Sequence, residues 1–350
     1  MSGTSLDGLD MALCEFEEVA GNYSFSILKA TTLEYDQKMK SFLRDALNAT
    51  ALELLEAHQK YGLWVGEKIL DFLHSEGLNC DLISSHGHTI HHRPELGFTF
   101  QLGAGTAIAN HTQIGVVCDF RTTDVSLGGQ GAPLVPIGDL LLFPEHTYCL
   151  NLGGICNISE KTSSGIIAYD IGMANMLLNY LAQKAGLDFD KGGRLAASGQ
   201  LDTSLFKVLN ELEYHQLAPP KSLGIEYFTS SVQPVLELLD IPLKDALHTA
   251  VHHIAYQIKA AVKGNHKLDK RMLITGGGAK NDFLIQCISE YCQDFVSIEV
   301  PATRLVDFKE AMIFAFMGYL QQHRHTNCLK SVTGASRDSV GGFFFKPGGA

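Results

Sequence analysis

The sequence predicts an α/β protein of two lobes, on three observations. The first is length, because 350 residues exceed what one hydrophobic core usually organises. The second is a pattern of strand hairpins followed by alternating helices and strands, which appears twice along the chain. The third is a set of three glycine-rich turns, each beside an apolar or β-branched run: residues 3–10, 150–154 and 275–281. Glycine lets the backbone approach a ligand, and successive amide N–H groups in such turns form an anion-binding cup. Three cups on one chain make phosphoryl transfer from a nucleotide the leading chemistry.

In order, Leu9–Phe16 and Phe25–Tyr35 read as a hairpin turning at Ala20-Gly21-Asn22. Helical periodicity follows over 37–48 and 51–76, then short strands at 82–85 and 99–102, a helix over 104–111 and a strand over 114–118. The glycine-rich segment 121–136 reads as a crossover between lobes. A second hairpin, 147–152 with 155–159 and 166–170, turns at Gly153-Gly154. Helices are expected over 172–186, 203–216, 229–239, 244–264, 281–290 and 310–320, with one strand at 272–275. This places residues 1–126 and 331–350 in an N-terminal lobe and 127–330 in a C-terminal lobe.

A net charge of −11 and a pI near 5.7 argue against nucleic acid as a partner. The longest apolar run, 311–320, is too short for a bilayer, and no secretory pattern opens the chain. Eight cysteines without a CxxC pair suit a reducing compartment, so a cytoplasmic location is expected. His86, His88, His91 and His92 form an HxHxxHH cluster dense enough to suggest a metal. No matching acidic and histidine ligands recur downstream, and a loop reading is preferred.

The order of the motifs resembles one family, the anhydro-N-acetylmuramic acid kinases of the sugar-kinase and actin superfamily. The matching segments are Met1–Asp10, Ser85–Thr89, Asp119–Arg121, Gly128–Pro136, Asn151–Gly154, Asp170–Gly172, Pro220–Ser222, Gly276–Gly278 and Val332–Ala335. The resemblance implies a two-lobed, actin-like ATPase (ribonuclease H-like) fold with an interlobe cleft. It implies ATP and Mg²⁺ as cofactors, a small sugar as partner and a homodimer. The implied reaction opens 1,6-anhydro-N-acetylmuramic acid with water and phosphorylates its 6-oxygen, in cell-wall recycling. The competing readings are a kinase for another amino sugar without bridge opening, or a non-catalytic sugar sensor.

Asp170 matches the family's catalytic base; an N-cap for the following helix is the competing reading. Glu310 matches a glutamate that orients water, against a role as a first-turn acid on the helix dipole. Gly3, Thr4, Ser5, Leu6, Asp7, Gly8 and Asp10 would hold the β- and γ-phosphates. Asp7 would hold Mg²⁺ through water, or form an Asx turn. Gly153 and Gly154 would form the second cup, and Gly276, Gly277, Gly278 and Asn281 the adenosine contact. His86, Arg121, Asp124, Gln130 and Lys221 would bind the sugar. Arg121 suits the lactyl carboxylate; an ion pair with Asp119 or Asp124 is its alternative.

The chain departs from the family at His88 (usually Gln), Met173-Ala174 (Gly-Pro), Asn179 (Asp), and Leu223 and Ile225 (Thr and Arg). Relatives also carry a short strand ahead of the first loop, where this sequence starts at Met1. Either translation begins upstream of Met1 or the first loop is anchored on one side only, and weaker ATP binding is expected in the second case.

Overall fold

The computed structural model describes residues 1–3, 6–238, 240–262 and 270–348. Its strands are β1 (Gly8–Val19), β2 (Asn22–Glu34), β3 (Ile83–Ser85), β4 (His88–Arg93), β5 (Phe98–Leu102), β6 (Val116–Cys118), β7 (Tyr148–Leu152), β8 (Ile155–Thr162), β9 (Gly165–Met173), β10 (Arg271–Thr275), β11 (Ser297–Glu299) and β12 (Phe343–Phe345). They belong to two compact units, Met1–Phe143 with Phe308–Ala350, and Pro144–Asp307.

In the first unit, β1 and β2 form a long antiparallel hairpin, and β4 pairs antiparallel with β5. Ser2 bridges to Leu9 and to His88. A separate sheet runs β12-β6-β3, with β3 parallel to β6 and β12 antiparallel to it. The helix Ala51–Glu76 begins with a capping box, the Thr50 hydroxyl accepting from the Glu53 N–H while Glu53 reaches back to the Thr50 N–H. It buries Ala57, Tyr61 and Val65 into a core shared with Leu9, Leu43, Leu102 and Ile108.

The second unit holds a five-stranded sheet in the order β11-β10-β7-β8-β9. The meander β7-β8-β9 is antiparallel, while β10 lies parallel to β7 and β11 parallel to β10. This is the strand order of the ribonuclease H-like fold, so the α/β class predicted for the chain is the one it adopts. Central β7 and β10 read as near-continuous apolar runs because helices cover them. The helices Asn175–Lys184, Leu243–Val262 and Asp282–Cys292 supply Leu177, Leu181, Leu247, Ile254, Leu284 and Ile288 to that core.

The unit boundaries differ from the expected 126/127 and 330/331. Residues 127–143 and 308–330 fall in the first unit, held there by bonds the sequence does not advertise. The Gln130 N–H donates to the Thr333 carbonyl at 2.8 Å. Lys309 and Asp139 form a buried ion pair at 2.6 Å. Gly138 has no room for a side chain, since an added Cβ would lie 2.5 Å from Ile313. Phe316, on the helix Thr303–Gln322, packs against Phe16 and Tyr23 of the hairpin.

Candidate active site

Asp170 lies within β9, not at a helix start; the helix that follows begins at Asn175. The N-cap reading therefore fails. One carboxylate oxygen, Oδ2, accepts from the Leu223 N–H at 2.8 Å. Burial pushes the Asp170 carboxyl up, and that single amide opposes it. A half-buried carboxylate with raised proton affinity is what a general base requires. Lys221 stands close by, its carbonyl accepting from the Asp170 N–H at 3.0 Å. Its ammonium donates to the Tyr214 carbonyl at 3.0 Å and lies 4.5 Å from the Tyr214 ring centre.

The third glycine turn borders a cavity of about 280 Å³ in the same unit. Gly277, Gly278 and Asn281 line it with Asn175, Asn179 and Asp190. Gly276 has φ +82°, and an added Cβ would sit 2.4 Å from Asn151 Oδ1; at Gly278 it would sit 2.7 Å from Leu152 Cβ. Both glycines are thus required by close approach to the end of β7. Asn281 caps the helix Asp282–Cys292 by accepting from the Leu284 N–H at 3.0 Å. In the second cup, the Gly153 and Gly154 carbonyls accept from the N–H groups of Ala174, Asn175 and Met176. Those carbonyls are thereby committed to tying the β7–β8 turn to the next helix. The cavity sets the polar side chains of Asn175, Asn179, Asp190 and Asn281 beside an apolar wall that includes Leu178, Leu247 and Val251.

In the first unit, the loop after Ser2 closes with Leu6 at φ +59°, and the Leu6 N–H donates to the Gly3 carbonyl at 3.4 Å. Thr4 and Ser5 lie outside the described residues. Gly8 is required because a Cβ would meet the Leu33 carbonyl oxygen at 2.5 Å. Asp7 is exposed, and its carbonyl accepts from the Tyr35 N–H at 3.2 Å. Asp10 instead accepts from Thr32 Oγ1 at 2.6 Å, while its main chain pairs with Met1. One free carboxylate beside a glycine loop fits Mg²⁺, which binds through one or two carboxylates and keeps waters and phosphate oxygens.

Arg121 is held by His86 and Gly131. Its Nε and Nη2 approach His86 Nε2 at 3.0 and 2.8 Å, and Nη1 donates to the Gly131 carbonyl at 2.5 Å. Neither Asp119 nor Asp124 forms an ion pair with it among the described residues. His86 Nδ1 contacts the Gly87 carbonyl at 2.9 Å, so Nδ1 carries the proton and Nε2 accepts. Burial, then Arg121, pulls the His86 pKa well below the ordinary histidine range, which keeps the ring neutral.

Asp124 is 0 % exposed, so it does not reach a sugar. Its Oδ2 accepts from the Gly131 N–H at 2.8 Å and its Oδ1 from the Thr333 hydroxyl at 2.7 Å. It fixes the loop that carries Gln130, whose own side chain is exposed. Glu310 does not open a helix, since the helix runs Thr303–Gln322. It keeps solvent contact, yet the protein crowds it enough for burial to push its carboxyl up against the pull of Arg121 and the N-terminal ammonium. The histidine cluster disperses: His86 serves Arg121, His88 bonds Ser2 Oγ at 2.9 Å, and His92 bonds Thr99 Oγ1 at 3.1 Å. The departure at His88 is thus absorbed by a buried network that also includes Tyr35 and Tyr61. No group of three or more potential metal ligands occurs among the described residues.

Tyr214 and His215 went unnoticed in the sequence because 203–216 reads as one continuous helix. The chain instead leaves that helix at Asn210 and turns through a short 3₁₀ segment, Glu213–Gln216.

A ribonuclease H-like sheet, a glycine-walled cavity and a carboxylate of raised proton affinity are the equipment of a nucleotide-dependent phosphotransferase. The model of the family "Anhydro-N-acetylmuramic acid kinase" matches residues 1–347. A protein of that name from Gloeobacter violaceus is 34% identical over 96% of this chain and 95% of its own. One from Synechococcus elongatus is 33% identical over 99% and 98%. A solved hexokinase from Schistosoma mansoni complexed with glucose has 8% identity and a TM-score of 0.37, covering 89% of this chain and 83% of that one. The chain belongs to the anhydro-N-acetylmuramic acid kinase family and is a sugar kinase of cell-wall recycling.

Proposed function

We propose that the chain consumes ATP and water to convert 1,6-anhydro-N-acetylmuramic acid into N-acetylmuramic acid 6-phosphate and ADP. Asp170 takes a proton from water, whose oxygen bonds to the anomeric carbon as the bond from that carbon to O6 breaks. O6 then attacks the γ-phosphorus and ADP leaves, so no separate proton is needed on O6. Water contributes the anomeric hydroxyl, and its second proton is released from Asp170. Glu310 orients the water, and Arg121 takes the lactyl carboxylate. Gly3–Asp10, with Gly153 and Gly154, receive the phosphates, and Gly276–Gly278 with Asn281 receive the adenosine; Asp7 would hold Mg²⁺, which would supply charge neutralisation at the phosphates. His86, Gln130 and Lys221 complete the sugar's surroundings, and Asp124 serves through the 129–131 loop.

The raised proton affinity of Asp170, with its second oxygen unengaged by any described hydrogen bond, carries this reading. The test is ADP release from Mg²⁺, ATP and the anhydro sugar in ¹⁸O-water, with mass analysis of the product. Label at the anomeric oxygen is expected; phosphorylation of an ordinary amino sugar without label would overturn bridge opening. Asp170→Asn is expected to abolish turnover while nucleotide still binds, and loss of nucleotide binding as well would make Asp170 structural. The free thiols are in keeping with a cytoplasmic location, and a homodimer is the assembly to check by sedimentation.

A further inference from the structure

β9 is the outer strand of its sheet, so at Asp170 its outward backbone groups need partners from elsewhere. The segment 214–223 supplies them. The Tyr214 hydroxyl donates to the Asp170 carbonyl at 2.7 Å, the Lys221 carbonyl accepts from the Asp170 N–H at 3.0 Å, and the Leu223 N–H reaches the carboxylate at 2.8 Å. His215 packs behind Gly172, where an added Cβ would meet its ring at 3.0 Å. Lys221 ties the segment to itself through the Tyr214 carbonyl and ring. Tyr214 is 5 % exposed, so its hydroxyl serves the protein interior and not a ligand.

We infer that Tyr214 and the Leu223 N–H are positioning groups for the kinase reaction, Tyr214 holding the Asp170 main chain and the Leu223 N–H its carboxylate, so that the base keeps one orientation at the open edge of the sheet. The inference rests on Asp170 being the base. A base held within a narrow range of orientations gains most of its advantage from geometry, so losing one clamp acts on turnover and not on substrate capture. The groups that titrate around Asp170 are Cys156 on β8, Tyr169 beside it, and Tyr214, His215 and Lys221 on the clamp. Burial drives the Cys156 and Tyr214 groups up and the His215 ring down, so these keep their charge state through the neutral range.

Tyr214→Phe keeps the ring under Lys221 and removes one bond. It is expected to lower kcat about tenfold with the KM values for sugar and ATP within about twofold. Leu223→Pro deletes the amide, and the acid limb of the kcat/KM profile is expected to move to higher pH, whereas Leu223→Ala leaves that limb in place. An unchanged kcat in Tyr214→Phe, alongside a dead Asp170→Asn, would overturn the clamp alone. An active Asp170→Asn would overturn the base assignment and the clamp with it. If Tyr214→Phe loses nucleotide binding and Tm together with kcat, its role is structural and the inference fails. If Leu223→Pro does not fold, Tyr214→Phe decides the matter.

Discussion

Arg121→Lys offers the sharpest check on how the sugar is recognised. A guanidinium carries five N–H donors in a rigid fork. Arg121 spends three, two toward His86 Nε2 and one on the Gly131 carbonyl, which leaves two for a carboxylate. A lysine at this position keeps the charge but cannot present a parallel pair. Losing one charge-assisted bond costs about 1.5–3 kcal/mol, which is an increase of about 10- to 150-fold in the sugar KM where KM reports binding. Because His86 stays neutral well below pH 6.5, the anchor and the expected effect are constant across the neutral range.

The assay is ADP release at saturating ATP, run on the lactyl-bearing anhydro sugar and on 1,6-anhydro-N-acetylglucosamine, which lacks the lactyl group. The native protein is expected to prefer the lactyl sugar, and Arg121→Lys to lose most of that preference. The second sugar also controls for any disturbance of the 129–131 loop, which would weaken both substrates alike. An equal loss on both, or an unchanged sugar KM, would refute carboxylate recognition by Arg121.

Gly276→Ala places a Cβ against Asn151 Oδ1 at a residue with φ +82°. Strain of about 1–3 kcal/mol is expected, read as a lower Tm and a raised ATP KM with the sugar KM little changed. Lys309→Met leaves Asp139 without its buried ammonium partner, for an expected loss of about 3–5 kcal/mol in denaturant unfolding. His253, whose pKa is driven down to about 3 by burial and then by His215, stays neutral in the fold but takes a proton when unfolded below about pH 6.5. The unfolded state then binds more protons, so stability falls as pH drops from about 6.5 toward 3, by about 1.4 kcal/mol per pH unit at the steepest. His253→Asn is expected to flatten that part of a stability–pH profile.

The residues that were legible in the sequence are those whose chemistry acts through the backbone. A glycine triplet after an apolar strand announces a turn whose close approach no other residue tolerates, and Gly276 and Gly278 bear that out sterically. Strand positions followed from hairpin signals and apolar runs, because β7 and β10 are buried on both faces. What stayed hidden is pairing at long range. Asp124 and Arg121 are three positions apart and look equally suited to a polar ligand, yet one has no exposed surface and the other retains unspent donors. The distinction is made by Thr333, 209 residues away, which closes over Asp124 and withdraws it from solvent.

The same long-range logic explains why Glu310 was misplaced on its helix. Apolar residues 311–320 suggest a start at 310, but the helix begins a further two turns earlier, at Thr303. Those extra turns carry Lys309, whose ammonium meets Asp139 inside the first unit. Lys309 is a buried anchor, and burying a charge is tolerable only with its partner in place. Glu310 is the next residue along the same helix, so loss of that ion pair is expected to disturb its backbone position. Lys309→Met should therefore blunt turnover as well as stability, and intact kcat in a folded Lys309→Met protein would show that Glu310 does not depend on that anchor.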